Sequence, residues 1–160
     1  MDSQITRTRD LTDAGKGQPI WFGSNILIAL LCDWHEHHGK TLASYERRLG
    51  KNAVPVIPVQ AILECYSVLT RLPAPHRLPP EATRLAMEET FSRTAVMAGL
   101  RPEAAWSAID KLSRLGFGGG RVYDAAIAEC VVKAGATVLL TWNRKHFLLI
   151  APAGLDVQEP

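Results

Sequence analysis

Short apolar, β-branched runs alternate with helix-length stretches along most of this chain, and that alternation restricts it to few architectures. The runs are Ile20-Trp21-Phe22, Val54 to Pro58, Thr94 to Ala98, Thr137 to Thr141 and Leu155 to Val157. Helices are expected over 26–31, capped by Ser24 or Asn25, over 36–49, 59–72 and 81–92, from Pro102 to Gly116, and over 121–134. Ile62, Leu63, Tyr66 and Leu69 supply one apolar stripe, and Trp106, Ile109, Leu112 and Leu115 another. Pro55 and Pro58 would confine their strand to a short or edge-exposed place. Strands separated by helices cannot close hairpins; they need crossovers, which give a mainly parallel sheet with helices on both faces.

At 160 residues the chain suits one α/β domain, expected over 19–160 behind a loose polar leader at 1–18. The formal charge of +2 excludes a global basic field, so any nucleic-acid contact must come from a local patch. Cys32, Cys65 and Cys130 are far apart in apolar stretches, without zinc spacing, and read as buried thiols of a cytoplasmic protein. The apolar run from Ile20 to Cys32 is broken by Gly23-Ser24-Asn25 and is shorter than the roughly 20 residues that span a bilayer. Asp2, Asp10 and Asp13 dilute the charges of Arg7, Arg9 and Lys16, and no cleavage site follows, which argues against an export signal.

In a parallel sheet, ligands sit beyond the carboxyl ends of the strands. The residues found there are Gly23, Ser24 and Asn25 after the first run, Glu64 after the second, and Asn143 after the fourth, with Asp124 opening a helix behind a glycine loop. Such oxygen donors suit Mg²⁺ or Mn²⁺ and phosphodiester hydrolysis, in which the ion activates water and neutralises developing charge. Each also has a plainer reading. Asp124 favours a helix dipole, Asn143 is a turn residue, and Glu64 on an apolar helix needs solvent or a partner.

Three segments resemble the PIN-domain family, and specifically its VapC toxins. Trp21-Phe22-Gly23-Ser24-Asn25-Ile26-Leu27 resembles the opening strand and its Asp-Ser/Thr-Asn-Val-Leu turn. Gly119-Gly120-Arg121-Val122-Tyr123-Asp124-Ala125-Ala126-Ile127-Ala128 resembles a helix start of that family, and Thr141-Trp142-Asn143-Arg144-Lys145-His146-Phe147 a strand end. Ala61-Ile62-Leu63-Glu64 fits the helix that bears its glutamate.

The resemblance implies a PIN-like three-layer α/β/α fold and a Mg²⁺- or Mn²⁺-dependent endoribonuclease. Glu64 and Asp124 would then be metal carboxylates and Asn143 an amide ligand or hydrogen-bonder. It further implies a homodimer and a VapB-like protein antitoxin. Gly23 departs from the pattern: it falls where the first aspartate of the family stands and has no side chain to offer. The metal would therefore be held more weakly, with Ser24 or Asn25 as neutral substitutes. The alternative is a catalytically silent protein on the same fold that binds RNA or an antitoxin.

Arg121, Arg144, Lys145 and His146 are candidates for a local phosphate-binding edge, against the reading of a solvated basic turn. Asp33-Trp34-His35-Glu36-His37-His38 reads as a solvated polar turn rather than a transition-metal site, although Asp33 and His37 stand at i,i+4. Trp34, Trp106 and Trp142 read as packing residues rather than base-stacking ones.

Overall fold

Strand β1 (Gln18–Phe22) starts ahead of the apolar run because Gln18 and Pro19 pair with Ala53 and Val54 of β2 (Ala53–Pro58). The computed structural model describes residues 17–160, so the expected leader lies outside the described residues except at its end, where Gln18 belongs to the sheet. Helices α1 (Ser24–Leu31) and α2 (His38–Leu49) connect β1 to β2. Beyond β2 come α3 (Val59–Arg71), α4 (Pro80–Phe91) and β3 (Val96–Ala98). The chain then forms α5 (Pro102–Arg114), α6 (Arg121–Lys133), β4 (Val138–Leu140), α7 (Arg144–Ile150) and β5 (Asp156–Gln158). The strand order is β3-β2-β1-β4-β5, and every pairing is parallel. The α/β architecture expected from the alternation of runs is the one observed.

The two prolines of β2 do not put it at an edge; it lies between β1 and β3. Its ladders are offset. Pairing with β1 runs from Ala53 to Val56, and pairing with β3 from Val56 to Pro58. Pro55 therefore precedes the β3 ladder and Pro58 lies past the β1 ladder, so each missing N–H falls where a neighbour is present on one side only.

Two apolar stripes face differently from expectation. On α5 the buried residues are Ala104, Ala108 and Leu112, while Trp106 is 73% exposed and Ile109 and Leu115 are also exposed. Trp106 is thus not a packing residue. On α3 the core side is Ala61, Cys65 and Leu69, and Leu63 and Tyr66 face outward. The basic run at 144–146, weighed as a turn, instead opens α7, whose Phe147 and Ile150 are buried.

The main core packs Trp21, Phe22, Val56, Ile57, Leu139 and Leu140 of the strands against Ile26, Leu27, Leu69, Ile127 and Phe147 of the helices. Cys32, Cys65 and Cys130 are free and buried, as expected. Among the described residues no helix is long and apolar enough to cross a membrane.

Candidate functional site

The middle of the sheet brings the candidate residues together. Because β1 lies between β2 and β4, the turn at Gly23 is flanked by the turn into α3 and the turn after β4. Helix α6 ends just before β4 begins, so its first turn, with Asp124, lies at the opposite edge of the sheet, where β1 and β2 end.

Glu64 and Asp124 meet there. The Asp124 side chain is only 17% exposed. Burial first, and then the nearby Glu64 charge, push its carboxyl up to about 6; His146 and Arg121 offset part of this. Glu64 Oε2 is buried without a hydrogen-bond partner among the described residues, and so is Gln60 Oε1, one turn earlier on α3. Buried oxygens without donors are costly. The carboxylates of Glu64 and Asp124, with the Gln60 oxygen one turn away, form a place that a cation would stabilise, and hard oxygen donors suit Mg²⁺ or Mn²⁺. Among the described residues, however, no group of three His, Cys, Asp or Glu side chains forms a ready cage.

Gly23, at the same edge of the sheet, brings no side chain. It is buried, caps α1 with φ −73° and ψ 163°, and donates its N–H to Leu140 O at 3.0 Å. That backbone is open to any residue. A Cβ would stand 3.4 Å from Thr141 Oγ1 and 3.6 Å from Leu140 O, which is ordinary contact. Glycine is therefore not required by the fold at this position.

Ser24 and Asn25 do not cap α1 as expected: Ser24 is the first helical residue, and no side chain caps the helix. Asn25 instead closes the sheet. Its Nδ2 donates to Thr141 Oγ1 at 2.9 Å, and its Oδ1 accepts the Trp142 N–H at 3.0 Å. Its oxygen is thus already engaged, which argues against its use as a substitute ligand. Asn25→Ala should lower stability by about 2 kcal/mol, since it strands the Trp142 N–H; urea denaturation would measure this, and a change under 0.5 kcal/mol would contradict the clamp.

Asn143 precedes α7 and donates its amide N–H to His146 Nδ1 at 2.8 Å. His146 Nδ1 is also 4.0 Å from Asp124 Oδ2. The other cations of the expected phosphate edge have different surroundings, and Arg121 also acts on Asp124. Arg144 donates to Val157 O at 3.0 Å, Arg121 lies 4.0 Å above the Phe117 ring, and Lys145 is exposed.

The histidine-rich segment is more than a solvated turn. His37 stacks on Trp142 with centroids 3.9 Å apart, and Trp142 Nε1 donates to Thr41 Oγ1 at 2.8 Å, which makes Trp142 the packing residue expected. His38 Nδ1 meets Ala29 O at 2.8 Å, and exposed Trp34 lies against His76.

A cleft of about 420 Å³, not expected from the sequence, extends from Glu64 along α3, with Gly120 and Tyr123 on its far side. Its α3 wall carries Gln60, Ser67 and Arg71 beside Glu64, a polar series at helical spacing that was visible in the sequence. A second cavity of about 340 Å³, mostly apolar and lined by Ile62, Met87, Phe91 and Met97 among others, does not include Glu64 or Asp124.

The model of one protein family, described as "PIN domain", matches residues 23–151. Ribonuclease VapC40 of Mycobacterium tuberculosis is 31% identical over 116 residues, covering 72% of this chain and 81% of that protein. The crystal structure of VapC20 from the same organism, a Sarcin-Ricin loop cleaving toxin, superposes with a TM-score of 0.69 at 17% identity, covering 88% of this chain and 99% of that one. VapBC2 of Rickettsia felis, solved bound to a DNA fragment from their promoter, gives a TM-score of 0.64 at 17% identity, covering 89% of this chain and 99% of that one.

Proposed function

The chain belongs to the PIN domain family, and from that membership we propose that it is a VapC-like toxin ribonuclease, with Mg²⁺ or Mn²⁺ held by Glu64 and Asp124 and its activity lowered by Gly23. The observation that carries the reading is the carboxylate pair at the carboxyl edge of the sheet, with Glu64 Oε2 buried and without a donor among the described residues.

A divalent ion at this place supplies polarisation of the phosphoryl oxygen and neutralises charge that develops during hydrolysis. The protein's own residues prepare for it. Asp124 is mostly ionised at neutral pH because its carboxyl titrates at about 6. Asn143 spends its N–H on His146, which leaves its Oδ1 as an acceptor. Gly23 contributes no charge, so the site holds its cation through fewer carboxylates than the family pattern provides, and charge count sets the affinity of such sites.

Exposed apolar side chains on α3, α5 and α7 (Leu63, Trp106, Ile109, Leu148) give surface for protein contacts. Together with the VapBC neighbours, they support an antitoxin partner and a second copy of the chain.

The test is incubation of a mixed RNA pool with Mg²⁺ or Mn²⁺. Slow, metal-dependent cleavage that disappears in Glu64→Gln is expected. RNA or antitoxin binding without any turnover by the folded protein at saturating Mn²⁺ would favour a silent binding protein on the same fold.

A further inference from the structure

We infer that the cleft beside Glu64 seats a single-stranded stretch of RNA next to the scissile bond, with Arg71 on a flanking phosphate and Tyr123 stacked on a base; this rests on the ribonuclease reading. The observation is a juxtaposition that the carboxylate pair alone does not explain. Gln60, Glu64, Ser67 and Arg71 line one wall of the same cleft, and Tyr123 faces them from α6. At 1.5 Å per residue, Arg71 lies roughly 10 Å along the helix axis from Glu64, the reach of a short length of nucleotide backbone.

The two ends of the wall differ chemically. One end has two buried acceptors without donors among the described residues. At the other, the exposed Arg71 side chain makes no hydrogen bond or ion pair among the described residues. A ligand that brings a cation to the first end and an anion to the second fits both; a metal-bound nucleic-acid strand is such a ligand. A guanidinium binds a phosphate bidentately. Tyr123, 53% exposed at the helix start, offers an aromatic face, and base stacking on aromatic rings tolerates any sequence. The net charge of only +2 makes a local cation of this kind the available source of phosphate affinity.

Binding of a fluorescein-labelled single-stranded RNA, followed by anisotropy in Ca²⁺ buffer over a range of salt, tests this. Arg71→Ala should weaken binding about tenfold and reduce the salt slope by about 0.7, the share of one single-strand phosphate. Arg71→Lys should retain the slope. Tyr123→Leu should weaken binding about fivefold or more with the slope unchanged, since stacking releases no counterions. Lys51→Ala, the same loss of charge at the opposite edge of the sheet, should have little effect. Circular dichroism melts confirm that these exposed substitutions leave the fold intact. If the parent chain binds and cuts RNA but the Arg71 and Tyr123 variants bind as it does, the cleft assignment is overturned and the ribonuclease reading stands. If the folded parent chain binds no RNA, both are overturned.

Discussion

Gly23→Asp is expected to raise metal-dependent RNA cleavage by about 100- to 1,000-fold, the usual worth of one well-placed electrostatic group. Position 23 follows the strand at the middle of the sheet, between the turns that lead to Glu64 and Asn143. Its backbone is extended, and its Cβ site meets Thr141 Oγ1 at 3.4 Å, so a Cβ is accommodated there in ordinary contact. An added carboxylate raises the affinity for a divalent ion and the charge available to it. Without metal, the same change sets a third negative group beside two others and should destabilise the protein by about 1 kcal/mol. Cleavage assays and Mn²⁺ titration calorimetry on the two forms decide the matter. Unchanged Mn²⁺ affinity in a folded Gly23→Asp protein would show that position 23 is not the vacant ligand place.

Asp124→Asn should stabilise the metal-free protein by about 2 kcal/mol at pH 7.5 while abolishing metal-dependent cleavage. The sign follows from the carboxyl at about 6, above its ordinary value because it is buried and faces Glu64. Between the unfolded value and 6 the native state binds the extra proton, so stability is highest at acid pH and falls as pH rises through about 6. Above that, the ionised carboxylate is a standing cost that asparagine removes. The gain should therefore shrink below pH 6 and be small near pH 4. In saturating Mn²⁺ the order should reverse, because the ion stabilises only the form that binds it. Urea melts of both proteins across this pH range test the claim, and a gain independent of pH would contradict it.

The sheet was legible because its strands are short apolar, β-branched runs set between glycines and prolines, signals that do not depend on tertiary context. Helix α7 was not. It has seven residues, its first turn is cationic, and only Phe147 and Ile150 face the core, too little for a period to show. The faces of α3 and α5 were misread for a different reason. Hydropathy weights large side chains, yet α5 packs on Ala104, Ala108 and Leu112, where small residues permit close approach, and leaves Trp106 outside. Glu64 and Asp124 stood out because each follows a strand or glycine loop and fits a family motif. Arg71 did not, since an arginine in the last turn of a helix is equally what the helix dipole favours. Asn25 was misjudged because its partners, Thr141 and Trp142, lie more than a hundred residues away.

The sheet is bordered on one side by β3 and on the other by β5, each of three residues. Such borders offer very little unsatisfied backbone to another polypeptide, and β5 places Asp156 at its start. Strand addition is thus disfavoured at both margins of the described sheet. Contacts of the described residues with other chains therefore fall more readily on helical surfaces such as the outer face of α5, where Trp106 and Ile109 are exposed.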